Sequence, residues 1–147
     1  MEKISVYNVS VPEYIRSLSA LRAILVKAEA FVAEGKMTES ALLEAYLAPD
    51  QYPFVRQVQL VSDMAKGTAG RLAQVEVPKM EDTEKTLKEL EERMDKTIAF
   101  LETLKPEQFE GAEDREIPIV FLPGKMMYGL EYLNTMGTAN FYFHLTT

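Results

Sequence analysis

His144 is the single histidine of a 147-residue chain that contains no cysteine. Metal ligation through it would need Asp, Glu or main-chain oxygens as companions, a donor set that selects no one metal. The ring stands among Phe141, Tyr142 and Phe143, so the plain reading is a packed, hydrogen-bonded histidine, and the functional one a ligand or general base. A second group, Arg56, Gln59 and Asp63, recurs at i, i+3 and i+7 and so shares one helix face, more than a hundred degrees from the apolar stripe. It is either a solvated face or, together with His144, the wall of a pocket in a helical bundle. Tyr142 and its aromatic neighbours, with the eight methionines, are also of the type that lines an apolar pocket for a small ligand. No catalytic residue can be assigned. Gly67 and Gly70 lie inside a helical pattern rather than after a strand, which excludes a phosphate loop, and no G-x-S-x-G elbow accompanies the serines.

The elements that must position these side chains are helices. Ser10-Val11-Pro12-Glu13 predicts a start with Ser10 as N-cap and Glu13 as its capping-box partner. Ile15, Leu18, Leu21, Ile24/Leu25, Ala28 and Phe31/Val32 then continue a helix over 11–34, which Gly35 stops. Thr38 caps a short amphipathic piece through Leu47 that Pro49-Asp50 ends. A second long helix is expected over 53–74, with Gly67 and Gly70 allowing close approach of a neighbour. A third starts at Asp82-Thr83-Glu84 and carries Leu87, Leu90, Met94, Ile98, Leu101 and Leu104 as its seam until Pro106. The run Lys88-Glu89-Leu90-Glu91-Glu92-Arg93 reads as a solvated face of pairs three and four apart.

From Glu113 the period changes to two. Residues 115–121 and 125–129 flank Leu122-Pro123-Gly124, a type II turn signal, and predict a β-hairpin in which Pro118 keeps its strand at an edge. After a turn of helix near 131–136, Gly137-Thr138 leads into a last helix expected to begin at about Thr138. A helix so short would leave the groove of three longer ones uncovered, and the expectation is a single domain, 1–147, cut short within its fourth helix.

Composition narrows the functions. Without cysteine there are no disulfides, thiolate zinc sites, iron–sulfur ligation or Cys nucleophile. A net charge of −7 and a pI near 4.8 oppose phosphate-backbone binding, so no nucleic-acid partner is expected. No apolar run is long enough to span a bilayer, so no membrane partner is expected either, and the N-terminus lacks the basic and apolar regions of a secretory signal; a cytoplasmic location follows as the expectation.

Ser10-Val11-Pro12, Leu47-Ala48-Pro49-Asp50, Arg56-Gln57-Val58-Gln59, Asp63 with Ala65-Lys66-Gly67, Glu81-Asp82-Thr83-Glu84 and, most specifically, Asn140-Phe141-Tyr142-Phe143-His144 resemble a bacterial and fungal family of unknown function in the DinB-like, YfiT-like superfamily of metalloenzymes. The resemblance spans essentially the whole chain. It implies an all-α, DinB-like up-and-down four-helix bundle with a small β-hairpin before the last helix, often homodimeric, with a divalent metal (Zn, Ni or Mn) held by three histidines in active members. It also implies a last helix that continues past Thr147. Members of the family often have histidine after the aspartate of the second long helix, where this chain has Met64, a poor ligand for those metals; of the triad only His144 remains. Three readings follow: a metal-dependent enzyme acting on a small molecule, with His144 and Asp63 as ligands and Arg56, Gln59 and Tyr142 at the substrate; a metal-free small-ligand-binding protein; or a homodimeric structural protein.

Overall fold

The computed structural model describes residues 4–147. Helix α1 (Val11–Ala33) buries Val11, Tyr14, Leu18, Leu21 and Leu25, a three-and-four spacing that keeps one stripe against the core. Ile24 and Phe31, expected on that stripe, are largely exposed. Nor does Ser10 form a capping box: its hydroxyl donates backwards to the Val6 carbonyl at 2.6 Å, and Glu13 pairs with Arg16 instead. Gly35, at φ +75°, ends the helix in the left-handed conformation that glycine adopts at least cost. Helix α2 (Glu39–Leu43) is capped by the Thr38 side chain, which accepts from the Ala41 N–H. It stops at Leu43, before the expected Leu47.

Helix α3 (Phe54–Ala73) and helix α4 (Leu87–Thr103) supply the rest of the long core. The expected start of α4 at Asp82 is corrected to Leu87. Thr86 and Glu89 form a reciprocal capping box there, while Asp82 and Glu84 are drawn onto Arg93 at 3.0 and 2.9 Å, which holds the preceding segment outside the helix. The solvated-face reading of 88–93 is corrected as well. Glu91 and Arg93 are both 2% exposed, because residues 87, 90/91, 93/94, 97 and 101 form the inward stripe of α4.

Two 3₁₀ turns, Pro106–Phe109 and Ala112–Asp114, lead to the hairpin of β1 (Glu116–Pro118) and β2 (Met126–Tyr128). Its register pairs Ile117 with Met127, and Gly124 at φ +79° with the Lys125 N–H bonded to the Leu122 carbonyl closes the type II turn.

The last helix differs most from expectation. Helix α5 (Gly129–Tyr132) runs through a π-helical stretch (Leu133–Thr138) directly into α6 (Ala139–Thr146), with Thr138 itself in helical conformation. It is one helix from Gly129, not a helix starting at Thr138, and it has the length to line the groove. Gly137 does not break it. A Cβ there would lie 2.4 Å from the Thr68 methyl, so the bare backbone lets this helix press against α3. That close approach was expected of Gly67 and Gly70; Gly67 meets instead the Arg71 side chain, while Gly70 meets Val77 and, from α4, Phe100 at 3.4 Å.

In the resulting four-helix bundle α1 packs on α4, α4 on α3 and α3 on the last helix. Phe141, fully buried, closes the ring against Tyr14 at a centroid separation of 4.7 Å. One apolar cluster runs through all four helices. No helix among the described residues is long and apolar enough to cross a membrane.

Candidate functional site

The Arg56, Gln59 and Asp63 face of α3 is neither a solvated face nor an open wall. It is one side of a charge network that pins the 75–86 segment to the bundle. Arg56 Nη1 donates to Asp82 Oδ2 at 2.5 Å and Gln59 Nε2 to Glu84 Oε2 at 2.9 Å. Asp63 Oδ1 accepts from Arg93 Nη2 at 2.9 Å and pairs with Lys66 Nζ at 3.1 Å. Arg93 completes the set, its Nη1 reaching Glu84, Asp82 and the Glu81 carbonyl. Arg56, Lys66 and Arg93 thus balance Asp63, Asp82 and Glu84. Burial works against the Arg93 charge, but Glu84, Asp63 and Asp82 outweigh it and hold the guanidinium above its ordinary range. Arg93 was legible in the sequence from its spacing to Leu90 and Thr97, had a charged residue been allowed on that stripe.

His144 stands apart from this network. Its Nδ1–H donates to Gln57 Oε1 at 2.7 Å, and Phe143 packs edge-on at 5.1 Å. Burial and then the Arg56 charge push the ring below the usual imidazole range. This is a hydrogen-bonded, part-buried histidine, and Gln57 is a partner the sequence reading did not name. The aromatic segment divides: Phe141 is core, Tyr142 is 36% exposed and Phe143 54% exposed, so the three do not line one pocket.

A divalent metal of the kind the resemblance implies needs several converging donors. Among the described residues no three His, Asp or Glu side chains converge in that way. His144 spends one ring nitrogen on Gln57 and Asp63 is held by two cations. Gln57 and Asp63 are six residues apart on α3, about 9 Å along its axis and on different faces, so the structure does not bring His144 and Asp63 together. With Met64 next to Asp63, the residues present do not fit a divalent metal.

The chemistry that the sequence reading missed is one turn further along α3. A cavity of ≈170 Å³ lies in the groove between α3 and the last helix. Asp63, Met64, Thr68 and Arg71 line it from α3, Tyr132 and Met136 from the last helix, and Pro118 to Phe121 from the end of β1. The π-helical stretch, a rare feature that recurs at functional sites, begins right after Tyr132 and contains Met136. Arg71 Nη1 donates to the Tyr132 hydroxyl at 3.1 Å. Its guanidinium lies back over Gly67, where a Cβ would stand 2.7 Å from Nη1. A larger hollow of ≈630 Å³ beside Ile4, Val9 and Phe109 has, among the described residues, only Ser5, Glu110 and Glu113 as polar side chains and no cation in its lining. A largely apolar cavity with one preset arginine, one phenol, and the Asp63 carboxylate and Thr68 hydroxyl on its α3 wall can hold a small amphipathic molecule in a single orientation.

A family model described as Domain of unknown function (DUF1993) matches residues 6–147. Among solved structures, the crystal structure of a DinB family member protein from Shewanella denitrificans is similar, with a TM-score of 0.90 at 37% identity. The match covers 97% of this chain and 81% of that one. No curated protein matches the chain.

Proposed function

The chain belongs to the DUF1993 family and has a DinB-like fold, and from that premise we propose that it is a small-molecule-binding protein whose site is the cavity between α3, the hairpin and the last helix. The observation that carries this reading is the lining itself. Two flexible thioethers, Met64 and Met136, and the apolar Ile119 and Phe121 face an arginine already oriented by Tyr132. Methionine adapts its shape to an apolar guest at little rotamer cost. The metal-dependent alternative has less support, because the donors that the superfamily resemblance implies are engaged elsewhere or replaced.

The test is a fragment titration followed on labelled methionine methyl groups. Benzene-sized molecules, charged and neutral, should shift the Met64 and Met136 signals saturably and leave that of Met94, which is fully buried in the core, in place. If no fragment moves Met64 and Met136 at millimolar concentration, or if the shifts map to other methionines, the cavity is not a binding site.

A further inference from the structure

Resting on that binding reading, we infer that the ligand is a small monocarboxylate, with its acid group held by Arg71 and its apolar body between Met64 and Met136. The chain has six arginines, and five have carboxylates or backbone carbonyls as partners. Arg16, Arg22, Arg56 and Arg93 pair with carboxylates, and Arg115 donates to the carbonyls of Leu72, Gln108 and Glu110. Arg71 alone, among the described residues, has neither a carboxylate nor a backbone carbonyl as partner; its one side-chain bond is to the Tyr132 hydroxyl. A guanidinium carries five N–H donors in a rigid fork that matches a carboxylate edge-on. Here the fork is part-buried and seated on Gly67, whose missing side chain makes room for it, so little ordering remains to be done on binding.

The rest of the cavity sets the ligand's other features. An apolar cavity of about 150 Å³ holds benzene in a well-studied lysozyme variant, so ≈170 Å³ fits an aromatic ring or a branched aliphatic chain of similar size. Charge favours a monoanion. One guanidinium balances one carboxylate, whereas a phosphate monoester carries about −1.5 to −2 at neutral pH and would face a chain of net charge −7. Asp63 lies on the same wall four residues before Gly67, about 6 Å along α3. Its Oδ2 has no hydrogen bond among the described residues, so a second ligand carboxylate at that end would meet a negative oxygen. A dicarboxylate is therefore rejected.

The experiment compares benzoate, benzamide, terephthalate and phenyl phosphate by calorimetry and by the methionine methyl signals. On the unmodified protein benzoate should bind at least about tenfold more tightly than benzamide, the difference one charge-assisted bidentate contact makes, and more tightly than the two dianions. Arg71→Gln should remove the gap between acid and amide, Arg71→Lys should keep only part of it, and Tyr132→Phe should narrow it without altering the circular dichroism spectrum. Equal binding of benzoate and benzamide overturns the carboxylate assignment and leaves the cavity reading standing. Tighter binding of phenyl phosphate or terephthalate overturns the monoanion assignment in the same way. If none of the four binds, the cavity reading itself falls, and this inference with it. The comparison on the unmodified chain decides the matter even where a variant fails to fold.

Discussion

Arg93 is 2% exposed, between Asp63, Asp82 and Glu84, with its Nε lacking a partner. Replacing it leaves three carboxylates facing one another beside the core. Arg93→Met is expected to cost about 3–5 kcal/mol in urea unfolding at pH 7, the range for breaking a buried pair from one side; a loss below about 1 kcal/mol would show that water already screens the network. His144 makes the second residue-scale prediction. Its folded-state value lies below the ordinary 6.5 through burial and the Arg56 charge. The unfolded chain therefore binds more protons than the folded one in this range, and stability rises with pH. The His144 contribution is full above about pH 6.5 and is lost as the pH falls from there through the folded-state value. The melting temperature should drop between pH 7.5 and 5.5, with a shallower slope in His144→Gln, whose amide can still bond Gln57. An unchanged slope would assign the pH dependence to other groups. Tyr14 tests burial itself. Desolvation pushes its phenol up to about 12, so in a spectrophotometric titration one tyrosine should ionise well after the exposed ones, and Tyr14→Phe should delete that late step.

At the scale of elements, the contact of the last helix with α3 depends on Gly137. An added methyl would press on the Thr68 side chain at 2.4 and 2.9 Å. Gly137→Ala is expected to cost about 1–3 kcal/mol as an overpacking change, and Thr68→Ala should recover part of that by removing both clashing atoms. A coupling above about 0.5 kcal/mol in the double-mutant cycle would confirm the contact; strict additivity would argue that the two helices are separated there. The same element shows what local signals miss. Gly137-Thr138 looks like a break because glycine has low helix propensity. In the fold, the π-helical stretch and the fit against Thr68 outweigh that local cost. Helix α4 shows the converse: the Thr86–Glu89 capping box was readable in the sequence, but the acidic Asp82-Thr83-Glu84 run gave an earlier and equally plausible start. Only Arg93, arriving from the far side of that run, decides between them.

At the scale of the whole molecule, one apolar cluster links all four long helices, so unfolding should be a single transition, with circular dichroism and tyrosine fluorescence coinciding. The chain has no tryptophan to complicate the second probe. A ligand that binds only the folded chain must stabilise it as a whole. Benzoate at one hundred times its dissociation constant should add about 2.7 kcal/mol to the unfolding free energy, an increment expected to fall to about 1.4 kcal/mol in Arg71→Gln at the same concentration, where benzoate binds about tenfold more weakly.

What the sequence determined by itself was the set of elements and the chemistry it could not contain. Helices over 11–34 and 53–74, the hairpin around Pro123-Gly124 and the absence of thiol chemistry depend on local periodicity, local turn geometry and residue content, and all three are properties of neighbours along the chain. The candidate site was not legible in that way. Arg56, Gln59 and Asp63 do share a face, but whether that face meets water, a ligand or Arg93 depends on residues 25 to 30 positions later in the chain. Arg71 carried no signal because an arginine on a helix is ordinary. It became distinctive only when tertiary packing gave carboxylates or carbonyls to the other five, seated its fork on Gly67 and set a largely apolar cavity beside it. Periodicity fixes which side of a helix a residue occupies; what stands opposite is decided by contacts between residues far apart in the chain.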